Sequence, residues 1–308
     1  EAGCEIIRVA IPDAKALDGF EEICKYSPLP VVADIHFDYK LALEAAKRGA
    51  AALRINPGNI GSMERVDAVI DAAKEAHIPI RIGVNAGSLA KEFDTRQDMT
   101  LVEKLVASSK SFVEHFSSRG FDDIVLSAKA HDVPTTLAGY RALSKELPQI
   151  PLHVGVTEAG ALRQGTVKNS AAVGILLESG IGDTMRLSLT ADPVEEVHVA
   201  WELLAALGMR RIKPELVSCP TCGRCGVDMI PIAEEVTKRL DGVRAPISVA
   251  VMGCVVNGPG EARGVDLGVA CGKGQAVLFE NGNPIRKVPE DKIVDELFAE
   301  IENRFGKK

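Results

Sequence analysis

At 308 residues, with 46% hydrophobic and 26% charged side chains, the chain has the make-up of a soluble globular protein long enough for two domains. Its net charge of −7 disfavours nonspecific nucleic-acid binding, so any anion site must be a local basic pocket on an acidic background. No apolar run approaches the roughly 18 residues that a membrane span requires. No signal peptide is visible either, although the sequence opens on Glu1, and a cytoplasmic protein is expected.

From residue 5 to about residue 208 one pattern recurs, a short β-branched run followed by an amphipathic helix. The predicted strands are 5–11, 30–37, 51–57, 78–85, 123–130, 151–158 and 183–190. Helical periodicity fills the stretches between and after them, as in 39–50, 62–77 and 193–208. Strict alternation of strand and helix implies right-handed crossovers and a parallel sheet. Seven strands suit an open doubly wound sheet, whereas a (β/α)8 barrel needs eight. The chain opens in mid-pattern, so a first βα unit is expected upstream of Glu1.

The strand faces favour the barrel. Successive strand residues point to opposite sides, and the sheets of doubly wound folds are apolar on both. Here one side is polar: Asp34 with His36, Arg54 with Asn56, Arg81 with Gly83 and Asn85, Ser127 with Lys129, His153 with Gly155 and Thr157, and Arg186 with Ser188. Any one of these could be a buried residue in a structural hydrogen bond. For the whole set that reading is disfavoured, because burying several cations without an anion costs several kcal/mol each. The expected fold is therefore a (β/α)8 TIM-like barrel over 1–212, with a site at its C-terminal strand ends.

A small α+β domain is expected over 213–308. The segment 214–226 reads as a loop, 228–240 as a helix, and 245–253 and 265–270 as strands. Residues 275–288 read as a hairpin turning at Asn281-Gly282. The chain closes on a helix over 289–305 with Pro289 near its start.

Seven cysteines, three of them within 218–225, look like a reduced metal-binding set and not a disulfide framework. Cys219-x-x-Cys222-x-x-Cys225, with Cys254 beyond it, offers soft thiolates at short spacing, which select zinc, copper or iron–sulfur clusters. A zinc ribbon needs a second CxxC pair, but Asn257 stands three residues after Cys254. A ferredoxin run needs a cysteine near position 229, which is Met229. Spacing thus leaves an iron–sulfur cluster, structural zinc and redox thiols open. Glu261, on residues alone, reads as a surface loop charge. Cys4, Cys24 and Cys271 sit in or beside apolar segments and read as small core residues.

Arg8, Arg54, Arg81, Lys129 and Arg186 fall on five different strands, and together they could neutralise a diphosphate through guanidinium forks and an ammonium. Asn56, Asn85 and Ser188 could add neutral donors. Glu158 stands where a general acid could reach bound substrate, and equally where a helix N-terminus favours a carboxylate.

The segments VADIHF, LRINPGNIG, RIGVNAGSL, HVGVTEAG, SCPTCGR and GCVVNGPGE together resemble the bacterial 4-hydroxy-3-methylbut-2-enyl diphosphate synthases, from the first residues to about residue 305. The resemblance implies an oxidoreductase with a TIM-type barrel joined to a [4Fe–4S] domain like a module of sulfite and nitrite reductases. The implied reaction is two-electron ring opening of 2-C-methyl-D-erythritol 2,4-cyclodiphosphate, with flavodoxin or ferredoxin as electron donor. It further implies a homodimer in which the cluster domain of one chain caps the barrel of the other. By motif, Cys219, Cys222 and Cys254 would hold three irons and Glu261 the fourth. Glu158 matches an acid–base carboxylate, and Asp34, His36, Arg54, Asn56, Arg81, Asn85, Lys129, Arg186 and Ser188 fall on substrate motifs, with Arg8 a further phosphate contact. Cys225 is an additional cysteine that the family pattern lacks. Rival readings are a barrel aldolase or phosphosugar enzyme with a structural zinc domain, and a non-enzymatic metal-binding module.

Overall fold

The computed structural model describes residues 1–254 and 258–306. The chain divides into two compact units, 1–203 and 204–308. Residues 255–257, which include Asn257, lie outside the described set.

Unit 1 alternates strand and helix. Its elements are β1 (Ile7–Ala10), α1 (Ala16–Tyr26), β2 (Val31–Asp34), α2 (Tyr39–Lys47), β3 (Ala52–Ile55), α3 (Pro57–Ile60), α4 (Met63–Ala76), β4 (Ile80–Asn85), α5 (Lys91–Asp94), α6 (Leu101–Ser118), β5 (Ile124–Lys129), α7 (Val133–Glu146), β6 (His153–Val154), α8 (Leu162–Glu178), β7 (Thr184–Met185) and α9 (Pro193–Ala206), whose last turn crosses the unit boundary. All seven predicted strands are present, in parallel and in chain order. β1 to β5 form one sheet, β6 pairs with β7, and a single bridge from Leu126 to Leu152 joins the two. β6 and β7 are only two residues long, against the eight expected. Arg186 and Ser188 consequently lie just past the end of β7.

Helix starts follow local chemistry. Thr100 and Glu103 form a reciprocal capping box at α6, and Asp38 and Asp132 accept backbone N–H groups at α2 and α7. The apolar side of the strands carries Ala33, Leu53, Ile80, Ile82, Leu126 and Val154, all fully buried. Each large aliphatic side chain so covered contributes about 1.5–3 kcal/mol. The apolar side is thus the helix-covered one, and the polar side is left to the barrel interior. Register then sets the interior: Asp34 pairs with Arg54, Arg54 with Arg81, and Asn85 with Lys129.

Unit 2 is built on β8 (Glu215–Ser218), α10 (Met229–Leu240), β9 (Ser248–Met252), α11 (Gly258–Glu261), β10 (Leu267–Gly272), β11 (Gln275–Glu280), β12 (Asn283–Pro289) and α12 (Ile293–Phe305). The sheet order is β12-β11-β10-β9-β8, parallel from β8 to β10 and antiparallel onward. Val236, Leu240, Leu297 and Ile301 of the helices pack on Val249, Val251, Val269 and Leu278. Asn281 (φ 47°) and Gly282 (φ 77°) make the expected hairpin turn. Two expectations shift. Part of the presumed loop at 214–226 is strand β8, because β9 offers it an edge to pair with. Pro289 ends β12, and a 3-10 turn separates it from α12. Among the described residues, no helix is long and apolar enough to cross a membrane.

Candidate functional site

The inner face of unit 1 gathers the expected cations around one buried carboxylate. Asp34, 4% exposed at the end of β2, accepts from Arg54 Nη1 at 3.0 Å and pairs with Arg8 Nε at 3.3 Å. His36 Nε2 stands 4.0 Å from the same carboxylate. The Nε/Nη2 edge of the Arg54 guanidinium abuts Gly83: a Cβ there would sit 2.7 Å from both Nε and Nη2 and 3.0 Å from Cζ. The glycine of RIGVN is therefore the slot that receives the guanidinium. Gly155 makes a similar slot further round the sheet. A Cβ at this position would run into the Arg186 carbonyl oxygen and lie 3.2 Å from Lys129 Nζ.

The remaining cations are buried and crowd one another. Burial first, then Arg8 and Arg54, lower Arg81 to about 10. Lys129, 7% exposed, is driven well below the ordinary lysine range by burial and by Arg81, Arg186, Arg8 and Arg54. Arg186 is held from outside the sheet. Glu196, in the first turn of α9, takes its Nε at 3.3 Å and Nη2 at 3.2 Å, and also accepts from Leu189 N at 2.9 Å. Five cationic side chains thus face two carboxylates, a formal excess of three positive charges on an acidic chain.

The neutral residues divide by what their atoms already do. Asn56, 1% exposed, accepts from Gly58 N and donates to the carbonyl and hydroxyl of Ser88, so its amide ties α3 to the loop after β4. Ser188 is fastened through its backbone to Asn169, a fully buried side chain on α8. Asn85, Ser88, His131, Thr157 and Glu158 line a cleft of about 460 Å³. Glu158 holds a left-handed backbone at φ 54°, which costs a non-glycine residue on the order of 1 kcal/mol and marks a position fixed by its surroundings.

In unit 2 the thiols gather at the C-terminal ends of β8 and β9. Cys219 N donates to Val251 O at 3.4 Å, and its Sγ accepts from Gly253 N at 3.1 Å. The loop then folds back, with Gly226 N on Gly253 O at 2.8 Å. Cys222 is exposed, and the backbone N–H and side chain of Arg224 hold its thiol below the usual range, opposed by nearby Cys254. Cys225 donates to Val227 O at 3.2 Å and packs on Gly253 where a Cβ would otherwise be. Cys271 is a core thiol pushed up to about 12 by burial, whereas Cys4 and Cys24 are only half-buried. Glu261 is exposed at the end of α11.

Among the described residues, no three His, Cys, Asp or Glu side chains converge as a single metal ion would require. What the fold supplies is a set of soft donors brought together on two adjacent strand ends. Thiols are the soft donors that zinc and iron–sulfur clusters take, and Cys225 is the one turned to a backbone carbonyl.

Three residues of the barrel site escape a reading of the sequence. Glu196 resembles any acidic residue in a first helical turn, Asn169 sits inside an amphipathic helix, and Thr184 is one hydroxyl in a short strand. Only the alternation that places His153 inward points toward this region of the interior.

The chain matches two family models, the GcpE TIM-barrel domain over residues 1–201 and the GcpE protein C-terminal domain over 215–303. Among curated relatives, the 4-hydroxy-3-methylbut-2-en-1-yl diphosphate synthase (flavodoxin) of Geobacter sulfurreducens is 52% identical over 100% of this chain and 87% of its own length. The protein of the same name from Clostridium acetobutylicum is 54% identical over 98% of this chain and 86% of its own, and that from Bacillus velezensis 51% over 98% and 80%.

Proposed function

The chain belongs to the GcpE family, and from that premise we propose that it is a 4-hydroxy-3-methylbut-2-en-1-yl diphosphate synthase, opening the ring of 2-C-methyl-D-erythritol 2,4-cyclodiphosphate by two-electron reduction and releasing one oxygen as water, a step of non-mevalonate isoprenoid biosynthesis. The observation that carries the reading is the excess of positive charge on the inner face of unit 1. It matches a diphosphate and little else that an acidic chain would admit.

In this account Arg54 and Arg8 are held by Asp34 so that their free N–H groups face the substrate phosphates. Arg81, Lys129 and Arg186 complete the ring, Arg186 with its position set by Glu196. Asn85, Ser188 and His36 supply further polar contacts, and Asn56 acts through the loop that it ties down. Glu158, in the cleft with Asn85, is the proton donor to the departing hydroxyl. Cys219, Cys222, Cys254 and Glu261 would hold a [4Fe–4S] cluster, Glu261 as the more easily displaced ligand. When bound, the cluster supplies electrons and a Lewis-acidic iron. Flavodoxin, named for the relatives, or ferredoxin would deliver the electrons in the cytoplasm, to a homodimer.

Iron and acid-labile sulfide on protein purified without oxygen test the reading. About four of each per chain, with a reduced-state paramagnetic resonance signal altered by the cyclodiphosphate, are expected. One zinc and no sulfide would overturn it.

A further inference from the structure

Two buried nitrogens inside unit 1 are not used by the roles above. Among the described residues, Arg81 Nε and His153 Nε2 are the buried side-chain nitrogens without a protein hydrogen-bond partner. Both belong to the inward face. Arg81 comes from β4, where it pairs with Val125 of β5, and His153 from β6, which the Leu126–Leu152 bridge joins to β5; the Arg81 charge is among those that act on His153.

His153 is fixed in place. It is 7% exposed, its Nδ1 lies 2.9 Å from Thr184 Oγ1, and its backbone carbonyl accepts the hydroxyl of fully buried Tyr140 at 2.7 Å. Burial, with Lys129, Arg81, Arg8 and Arg186 around it, keeps the imidazole neutral. A neutral imidazole carries one proton. Surrounded by cations, the tautomer that directs its proton to Thr184 and its lone pair inward is favoured, because the lone pair is the negative end of the ring dipole. His153 Nε2 then accepts, whereas Arg81 Nε–H can only donate.

A group that satisfies both must accept one hydrogen bond and donate another. A phosphate oxygen answers Arg81 but has no proton for His153, and an ammonium is repelled by the ring of cations. A hydroxyl does both. We propose that the inner face between Arg81 and His153 is a hydroxyl subsite, in which a substrate hydroxyl accepts from Arg81 Nε and donates to His153 Nε2. The inference rests on the cyclodiphosphate reading and deepens it. The cations bind the phosphates, and this subsite selects a polyol diphosphate over a bare one. A site built this way rejects an analogue lacking the hydroxyl, since two buried polar atoms would then stay unpaired.

Calorimetric titration of anaerobic holoprotein with the cyclodiphosphate and with inorganic pyrophosphate tests it, in the parent and in His153→Leu and His153→Gln. His153→Leu should weaken the cyclodiphosphate about tenfold and leave pyrophosphate unchanged. His153→Gln, whose amide oxygen can accept at a similar reach, should recover most of the loss. If the leucine variant does not fold, His153→Asn, whose amide reaches Thr184 but stops short of the interior, makes the same comparison. Equal losses for both ligands would overturn the subsite and make His153 a support of the cation ring, and so would unchanged cyclodiphosphate affinity. A parent protein that binds neither ligand would overturn the diphosphate reading itself, and the subsite with it.

Discussion

Gly83→Ala separates the cation ring from the stability of the barrel. The added Cβ would meet Arg54 Nε and Nη2 at 2.7 Å, and ordinary contact begins at 3.4 Å, so the guanidinium must retreat by about 0.7 Å. Arg54 Nη1 donates to Asp34 at 3.0 Å, and the same displacement disturbs the geometry of that bond and the aim of the guanidinium. The atoms that give way are the end of a flexible side chain, so the fold should lose little, within about 1 kcal/mol. Binding should lose a charge-assisted contact of about 1.5–3 kcal/mol, which is roughly a 10- to 150-fold weaker affinity for pyrophosphate. Calorimetric titration paired with thermal unfolding reads both quantities. Unchanged affinity would refute the role given to the Arg54–Gly83 contact. A loss of several kcal/mol of stability with affinity intact would show that Gly83 serves packing alone.

Three further outcomes follow from the same geometry. Glu196→Ala frees Arg186 and removes the acceptor for Leu189 N, so KM for the cyclodiphosphate should rise about tenfold with little change in kcat; steady-state kinetics showing an unchanged KM would contradict the clamp. Lys129 sits well below the ordinary lysine range in the free protein, and a bound anion must raise it again. Binding should therefore take up a proton at pH values between the free and bound positions, and affinity should fall as pH rises through that window. Titrations in buffers of different ionisation enthalpy measure the uptake, and its absence in the parent, or its persistence in Lys129→Met, would contradict the assignment. Glu261→Ala should leave iron content largely intact through the three cysteines while turnover drops; iron analysis showing complete loss would make Glu261 essential for assembly.

Much of the barrel is legible in the sequence because strand alternation is strict. Arg54, Arg81 and Lys129 sit inward for the same reason that Leu53, Ile82 and Leu126 sit outward. What alternation does not convey is pairing across elements. That Asp34 serves two arginines depends on the β1–β2–β3 register, and that Glu196 reaches Arg186 depends on how α9 returns toward the strand ends. Asn56 is instructive in the opposite sense. Its place on the polar face suggests a substrate donor, but its amide is engaged by Gly58 and Ser88. The segment 214–226 reads as wholly loop because its cysteines, proline and glycines dominate the local signal. Only the neighbouring β9 makes a strand of Glu215–Ser218. In the cysteine-bearing loop, spacing alone does not rank Cys225 against its neighbours, whereas the structure turns its thiol to the Val227 carbonyl.

The most direct test of the whole account is product stoichiometry under limiting reductant. Anaerobic protein supplied with the cyclodiphosphate and a measured quantity of reduced flavodoxin should form one 4-hydroxy-3-methylbut-2-enyl diphosphate for every two electrons consumed, and none without reductant. Consumption of the cyclodiphosphate independent of reductant, or oxidation of flavodoxin without that product, would contradict it.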